Sequence, residues 1–140
     1  MTIYALSTAP GTAGLAVIRL SGPRSLEALN ILVKNKVFVP GNFIRCNFSH
    51  PTNKKLLDRG LAVYFKEPKS FTGEDVVELH IHGGYANTTT MLSALSQINY
   101  LRLAEQGEFT KRAFVNDKLD LTGIEALGDL INAQTEQQHE

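Results

Sequence analysis

The sequence is poor in several features that would assign it to a class at once. Its 140 residues include no tryptophan and a single cysteine, Cys46, so no disulfide can form within the chain. A chain without a disulfide framework fits a reducing compartment. No apolar run approaches the roughly 20 residues that a membrane-spanning helix needs. The first residues show neither a signal peptide nor an Arg-rich transit sequence. These absences predict an intracellular protein with no membrane contact.

An excess of positive charge is also missing. The chain has 14 basic and 14 acidic residues and a formal net charge of zero. Domains that bind nucleic acid alone are usually basic, because phosphate neutralisation supplies most of their affinity. A P-loop is absent too, since residues 11–14 (GTAG) lack the lysine of G-x-x-x-x-G-K-[S/T]. The chain is therefore expected neither to bind RNA alone nor to hydrolyse GTP or ATP.

The pattern of hydrophobic residues predicts an α+β fold. Strand-like runs cover residues 3–7, 15–20, 43–48, 56–65 and 75–82, and a shorter one covers 101–104. Helices are predicted after Ser21, with Ser21 as N-cap and Pro23 in the first turn, after Gly83-Gly84, and over residues 108–115. Hairpins mixed with scattered helices favour a mixed sheet with flanking helices over a regular βαβ array.

A change of pattern near Leu119 predicts a domain boundary. Thr122 and Glu125 match a capping box, and apolar residues follow at helical spacing. We therefore predict one domain over residues 1–118 and the first helix of a second, helical domain over residues 119–140. A chain of this length buries enough surface to fold without covalent staples.

The strand over residues 75–82 carries the most informative polar face. Glu78, His80 and His82 alternate with apolar residues and share one side of the strand. They could face solvent, or they could converge on a ligand. A metal reading is weaker, because zinc sites usually need three or four protein ligands and no other His or Cys cluster supports one. We expect no metal here.

Three other positions are candidates for ligand contact. Arg19 is a lone charge on an otherwise apolar strand, where it either pairs with a carboxylate or offers a guanidinium fork to a ligand. Lys118 is either a solvated loop lysine or a ligand contact. Gly83-Gly84, ahead of a helix, is either a tight turn or an anion site.

Three motifs in order resemble one family. They are "TIYA" with "AVIRLSG" at residues 2–5 and 16–22, "SFTGEDVVELHIHGG" at 70–84, and "GEFTKRAF" with "NDKLDLT" at 107–114 and 116–122. Together they are similar to the N-terminal part of the MnmE (TrmE) family of tRNA-modifying GTPases. The resemblance runs over the whole chain. One difference is Tyr85, where many relatives have proline after the double glycine.

The resemblance implies a function that the residues alone do not. Family members carry an N-terminal domain, a helical domain and a GTPase domain inserted in the latter, which would lie outside this chain. With the flavoprotein MnmG (GidA), which holds FAD, they modify the wobble uridine of certain tRNAs to a carboxymethylaminomethyl-type group. GTP, Mg and K ions belong to the GTPase domain. The one-carbon unit comes from 5-formyltetrahydrofolate or another reduced folate.

The same resemblance implies roles for particular residues. The N-terminal domain is expected to resemble the folate-binding domain of the glycine-cleavage T-protein and to form a homodimer. Its folate contacts fall on Arg19, Glu78 and Lys118, with His80 and His82 lining the pocket. No catalytic residue is expected within the chain. The alternative is a pure dimerisation module that binds folate only in the full-length protein. A bacterial cytoplasm is expected, with a mitochondrial matrix as the alternative.

Overall fold

The computed structural model describes residues 1–8 and 14–118, which form six strands and three helices. The strands are β1 (Thr2–Leu6), β2 (Leu15–Ser21), β3 (Ile44–Ser49), β4 (Leu56–Phe65), β5 (Val76–His82) and β6 (Leu101–Leu103). The helices are α1 (Ser25–Leu32), α2 (Tyr85–Ser96) and α3 (Glu108–Val115). Within these ranges no helix has the length and apolarity needed to cross a lipid bilayer. The predicted boundary at Leu119, and the helix after it, lie outside the described residues.

The strands form one mixed sheet in the order β3-β4-β5-β2-β1-β6. Only β1 and β6 run parallel, and every other neighbouring pair is antiparallel. The central pair, β2 and β5, is in register from Leu15 opposite His82 to Ser21 opposite Val76. The α+β prediction, with a mixed sheet and flanking helices, is confirmed. The likeness to the glycine-cleavage T-protein stays a prediction.

One face of the sheet carries the main hydrophobic core. Alternate residues of β2 and β5 point into it, as the period-two pattern predicted, and α1 and α2 cover it. Fully buried members of this cluster include Ile18, Leu20, Leu79, Ile81, Leu29, Leu32, Met91 and Leu95. Burying one such side chain contributes about 1.5–3 kcal/mol. The opposite face of β2 and β5 is left to carry polar residues.

The start of α1 differs from the prediction. Ser21 is not the N-cap, because it ends β2, and the helix begins at Ser25 with Arg24 as N-cap. Thr2 Oγ1 accepts a hydrogen bond from the Arg24 N–H at 2.9 Å. A side chain on β1, distant in sequence, thus satisfies a donor at the helix start that local sequence reasoning assigned to Ser21.

The turn at Gly83-Gly84 joins β5 to α2. Gly84 is the N-cap of α2 and has a φ of 103°, a conformation that favours glycine. The Gly83 N–H donates to the Gly14 carbonyl at 2.7 Å. The glycines therefore serve the backbone geometry of this turn.

Candidate functional site

A row of four side chains crosses the polar face of the sheet. Ala5 of β1 lies opposite Arg19 of β2, Arg19 opposite Glu78 of β5, and Glu78 opposite Val63 of β4. Residues opposite each other on neighbouring strands project to the same face. The sheet therefore brings together Arg19 and Glu78, which lie 59 residues apart in sequence.

Arg19 and Glu78 form an ion pair. The Arg19 Nε and Nη2 both donate to Glu78 Oε2, at 3.3 and 3.1 Å. The two side chains keep only 24% and 18% of their surface exposed. Val63 and Val76, on the same face beside Glu78, are fully buried. Charge-assisted hydrogen bonds on an apolar base are stronger than exposed ones, so this pair is held in place.

Two aromatic rings flank the Arg19 guanidinium. Its central carbon lies 5.0 Å from the ring centroid of Phe71 and 5.8 Å from that of Phe109. Both distances are within the range of cation–π attraction. Sequence reasoning did not select either ring, although both stand inside the motifs at residues 70–84 and 107–114. Among the described residues, Nη1 of Arg19 has no acceptor, so donors remain for a ligand.

His80 extends the pair into a cluster. Its Nε2 lies 3.1 Å from Glu78 Oε1, the carboxylate oxygen that Arg19 leaves free. The ring packs edge-on against Phe43, with centroids 5.3 Å apart. We call Arg19, Glu78 and His80 the Arg19 cluster. Two residues of the polar face predicted for β5, Glu78 and His80, therefore contact each other.

His82 belongs to a different group. Its ring Nδ1 lies 2.9 Å from Asp58 Oδ1, and its backbone N–H donates to Asp58 Oδ2 at 2.8 Å. Asn87 Nδ2 donates to the same Asp58 oxygen at 2.9 Å. Burial tends to raise the pKa of the Asp58 carboxyl. The hydrogen bonds from the His82 backbone N–H and from the His82 and Asn87 side chains outweigh burial, so the pKa of Asp58 is lowered. The side chain of His82 is 69% exposed. Asp58 of β4 is the shared acceptor that links β5, through His82, to α2, through Asn87.

The geometry does not support a metal site formed by Glu78, His80 and His82. Across residues 1–8 and 14–118, no three His, Cys, Asp or Glu side chains are arranged to hold an ion. His80 is engaged by Glu78, and His82 by Asp58. The two imidazoles therefore serve separate carboxylates.

The loop that carries Phe71 is tied to β2 and α3. Thr72, fully buried, meets Ser21 Oγ at 2.7 Å, and Ser21 Oγ also donates to Glu74 Oε1 at 2.7 Å. Arg112 of α3 donates to Glu74 Oε1 at 3.0 Å. Asn116 Nδ2 donates to the Thr72 carbonyl at 2.9 Å. This hydrogen-bond network fixes the loop beside Arg19.

Lys118 lies beside Gly73 of the same loop. A Cβ at Gly73 would be 3.5 Å from Lys118 Cε, so the lysine stem passes close to the loop backbone. The Lys118 N–H donates to the Ala113 carbonyl at 2.8 Å, which closes the end of α3. Its ammonium is exposed and has no ion pair with the described residues. Lys118 is thus beside the loop that touches Arg19, without contacting Arg19 itself.

A separate cavity lies away from these residues. It encloses about 490 Å³ and is lined by Pro40, Gly41 and residues 65–69. None of the three predicted ligand contacts, Arg19, Glu78 and Lys118, belongs to its lining. The convergent donors and acceptors, which fix the orientation of a ligand, are at the Arg19 cluster, and we take that cluster as the candidate site.

Comparison with known proteins decides the family. A family model described as "GTP-binding protein TrmE N-terminus" matches residues 2–118. This chain belongs to the TrmE N-terminal family. The match spans every described element, from β1 to α3, and includes all the residues of the Arg19 cluster.

Two curated relatives of this TrmE N-terminal chain share one name. "tRNA modification GTPase MnmE" of Parvibaculum lavamentivorans is 58% identical over 137 residues, covering 98% of this chain and 31% of the relative. The protein of the same name from Rickettsia akari is 53% identical over 138 residues, covering 99% of this chain and 31% of the relative. The chain therefore spans about a third of the length of the relatives it matches.

Proposed function

We propose that this chain supplies the reduced-folate-binding and homodimerising domain of a GTPase that modifies the wobble uridine of tRNA. The relatives are named for tRNA modification and GTPase activity, which supports this general assignment. The flavin-containing partner, the GTP, Mg and K ions of a separate domain, the bacterial cytoplasm and the likeness to the glycine-cleavage T-protein belong to the same proposal. These parts rest on the family resemblance.

The Arg19–Glu78 pair is the observation that carries the folate part. The aminopyrimidine of a pterin presents adjacent N–H donors, and a carboxylate such as Glu78 accepts them. Within residues 1–8 and 14–118, Arg19 keeps N–H groups without an acceptor, and these suit a carboxylate or carbonyl oxygen. Phe71, 47% exposed beside Arg19, offers an aromatic face. A bound reduced folate would supply the one-carbon unit, and the donor set of the site fits it.

Lys118 fits the same ligand at its other end. Its exposed ammonium, next to the loop at Gly73, is free among the described residues to meet the glutamate carboxylates of a folate. An exposed charge pair of this kind adds about 0–1 kcal/mol, so Lys118 is expected to matter less than Glu78.

The test is a calorimetric titration of 5-formyltetrahydrofolate into the chain, with Glu78→Gln and Glu67→Gln compared. Glu67 is exposed, has no ion pair among the described residues, and gives a matched loss of one carboxylate elsewhere. Removing the charged acceptor is expected to weaken binding about tenfold or more. The control should bind like the unaltered chain.

Two other results are informative. Equal binding by Glu78→Gln would contradict the assignment of Glu78. Absence of heat from every variant, together with a dimer in sedimentation, would favour the alternative in which the domain only dimerises. A monomer in sedimentation at high concentration would contradict the dimer.

A further inference from the structure

We propose that His80 is a positioning residue for Glu78, fixing the carboxylate in the orientation that receives the ligand. The inference rests on the proposed function, because it concerns the same site. Neither the family match nor the names of the relatives assigns a role to this histidine.

The two oxygens of Glu78 are held by two different donors. Oε2 accepts from Arg19, and Oε1 faces His80 Nε2 at 3.1 Å. The terminal torsion of a glutamate is broad when nothing restrains it. With one oxygen held on each side, the plane of the Glu78 carboxylate is fixed before any ligand arrives.

The geometry also assigns the proton on His80. Glu78 is paired with Arg19 as a carboxylate, which can only accept hydrogen bonds. His80 Nε2 must therefore carry the hydrogen, and in the neutral ring Nδ1 keeps the lone pair. Each oxygen of a carboxylate has two acceptor sites, so Oε1 keeps one for a ligand N–H while His80 holds the other.

The surroundings hold the His80 ring where this donor is needed. Val17 lies opposite it on β2 and Leu61 on β4, and the Phe43 ring packs edge-on against it. The side chain is only 23% exposed. A ring confined by packing spends little entropy in keeping its hydrogen bond, which is the condition for preorganising a partner.

Three variants separate the donor from the packing. His80→Phe keeps a ring and removes the hydrogen bond, whereas His80→Gln places an amide N–H near the position of Nε2. His50→Phe is the matched control, since His50 lies on the β3–β4 hairpin and bonds to Thr52 and Asn53 there. Unfolding by urea of each variant checks that the chain is folded.

Titration with 5-formyltetrahydrofolate is expected to show about tenfold weaker binding for His80→Phe, the loss typical of a hydrogen bond to a charged group. His80→Gln should recover most of that loss, and His50→Phe should bind normally. Weak binding by both His80 variants would show that a donor near the position of Nε2 does not restore binding, and would overturn the proposal. Normal binding by His80→Phe, with weak binding by Glu78→Gln, would overturn it and leave the proposed function intact.

A second measurement needs no ligand. Long-range ¹H–¹⁵N correlation of the His80 ring in the free chain is expected to report the tautomer with hydrogen on Nε2. The opposite tautomer would overturn the proposal. If the unaltered chain binds no folate, the proposed function fails, and the positioning of Glu78 by His80 is then judged by this tautomer.

Discussion

Gly73 is the residue on which the position of the 70–74 loop depends most directly. Its φ is 82°, a conformation that L side chains rarely adopt. A Cβ built there would lie 2.7 Å from the Cβ of Asn116 and 3.5 Å from Lys118 Cε. The loop that carries Phe71 can therefore approach the end of α3 only because residue 73 has no side chain.

Replacement Gly73→Ala is expected to destabilise the fold by about 2–3 kcal/mol, from the strained φ and the contact with Asn116. Gly84→Ala is the matched control. Gly84 has a φ of 103° and open space around it, so it should show the strain alone, about 1 kcal/mol. Urea unfolding measures both. Equal losses would show that the contact with Asn116 has no weight.

Single residues of the site were predictable to different degrees. The lone charge of Arg19 on an apolar strand indicated a carboxylate partner or a ligand, and the structure provides the carboxylate, Glu78. The choice of Glu78 depends on which strands become neighbours, and one sequence does not contain that pairing. Phe71 and Phe109 were missed because one lies in a loop and the other in α3. Their contacts with Arg19 are tertiary, and no local sequence pattern predicts them.

Charged side chains of helix α3 connect this helix to the loop beside Arg19 and to β6. Arg112 bonds to Glu74 and also donates to Glu108 Oε2 at 3.2 Å. Glu108 receives Arg102 Nη1 at 2.8 Å and the Glu105 N–H at 2.9 Å. The hydrogen bond from Arg102 lowers the pKa of Glu108, and burial opposes this effect. With the further hydrogen bond from the Glu105 N–H, the pKa of Glu108 falls to about 2.

This shift predicts an acid-sensitive helix. Because the folded-state pKa of Glu108 lies below its ordinary value of 4.5, its contribution is complete above about pH 4.5 and disappears as the pH falls toward 2. After allowance for solvent screening, the contribution is about 1–2 kcal/mol. Glu108→Gln should lower the free energy of unfolding at pH 7 and have a smaller effect at pH 3.

The control for this pH series is Glu67→Gln, since Glu67 is exposed and forms no ion pair among the described residues. Urea unfolding at several pH values measures all three chains. A Glu108→Gln chain whose stability falls with acid as steeply as that of the unaltered chain would contradict the role given to Glu108.

Elements with strong local signals were predicted well. The helix over 108–115 has the predicted bounds, and β5 begins one residue later than predicted. The predicted start of α1 was wrong. The Ser21 hydroxyl is hydrogen-bonded to Thr72 and Glu74, and Thr2 Oγ1 accepts the hydrogen bond from the N–H at the start of the helix. A capping signal is local, and tertiary hydrogen bonds override it when a stronger partner lies nearby.

The two faces of the sheet differ in the residues that they carry. The face under α1 and α2 is apolar, and the opposite face holds the Arg19 cluster on a base that includes buried Val63 and Val76. Alternation within β2 and β5 made both faces predictable from sequence. The strand order was not, because non-local pairing follows from loop closure and packing over the entire chain.

Cys46 gives a probe of the folded state as a whole. It is the sole cysteine, 1% exposed within the core, and burial raises the pKa of its thiol. The thiolate is the reactive form. Labelling by a thiol reagent should therefore be slow in the native chain and should rise in parallel with global unfolding in urea. Rapid labelling in the absence of denaturant would contradict a closed core on this face.

The central claim is that a reduced folate binds at the Arg19 cluster. The most direct measurement is a titration of the ¹⁵N-labelled chain with 5-formyltetrahydrofolate, followed through backbone amide shifts. We expect the largest shifts at Arg19, Glu78 and residues 70–74. Shifts confined to the cavity lined by Pro40 and residues 65–69, or none in a folded chain, would contradict the claim.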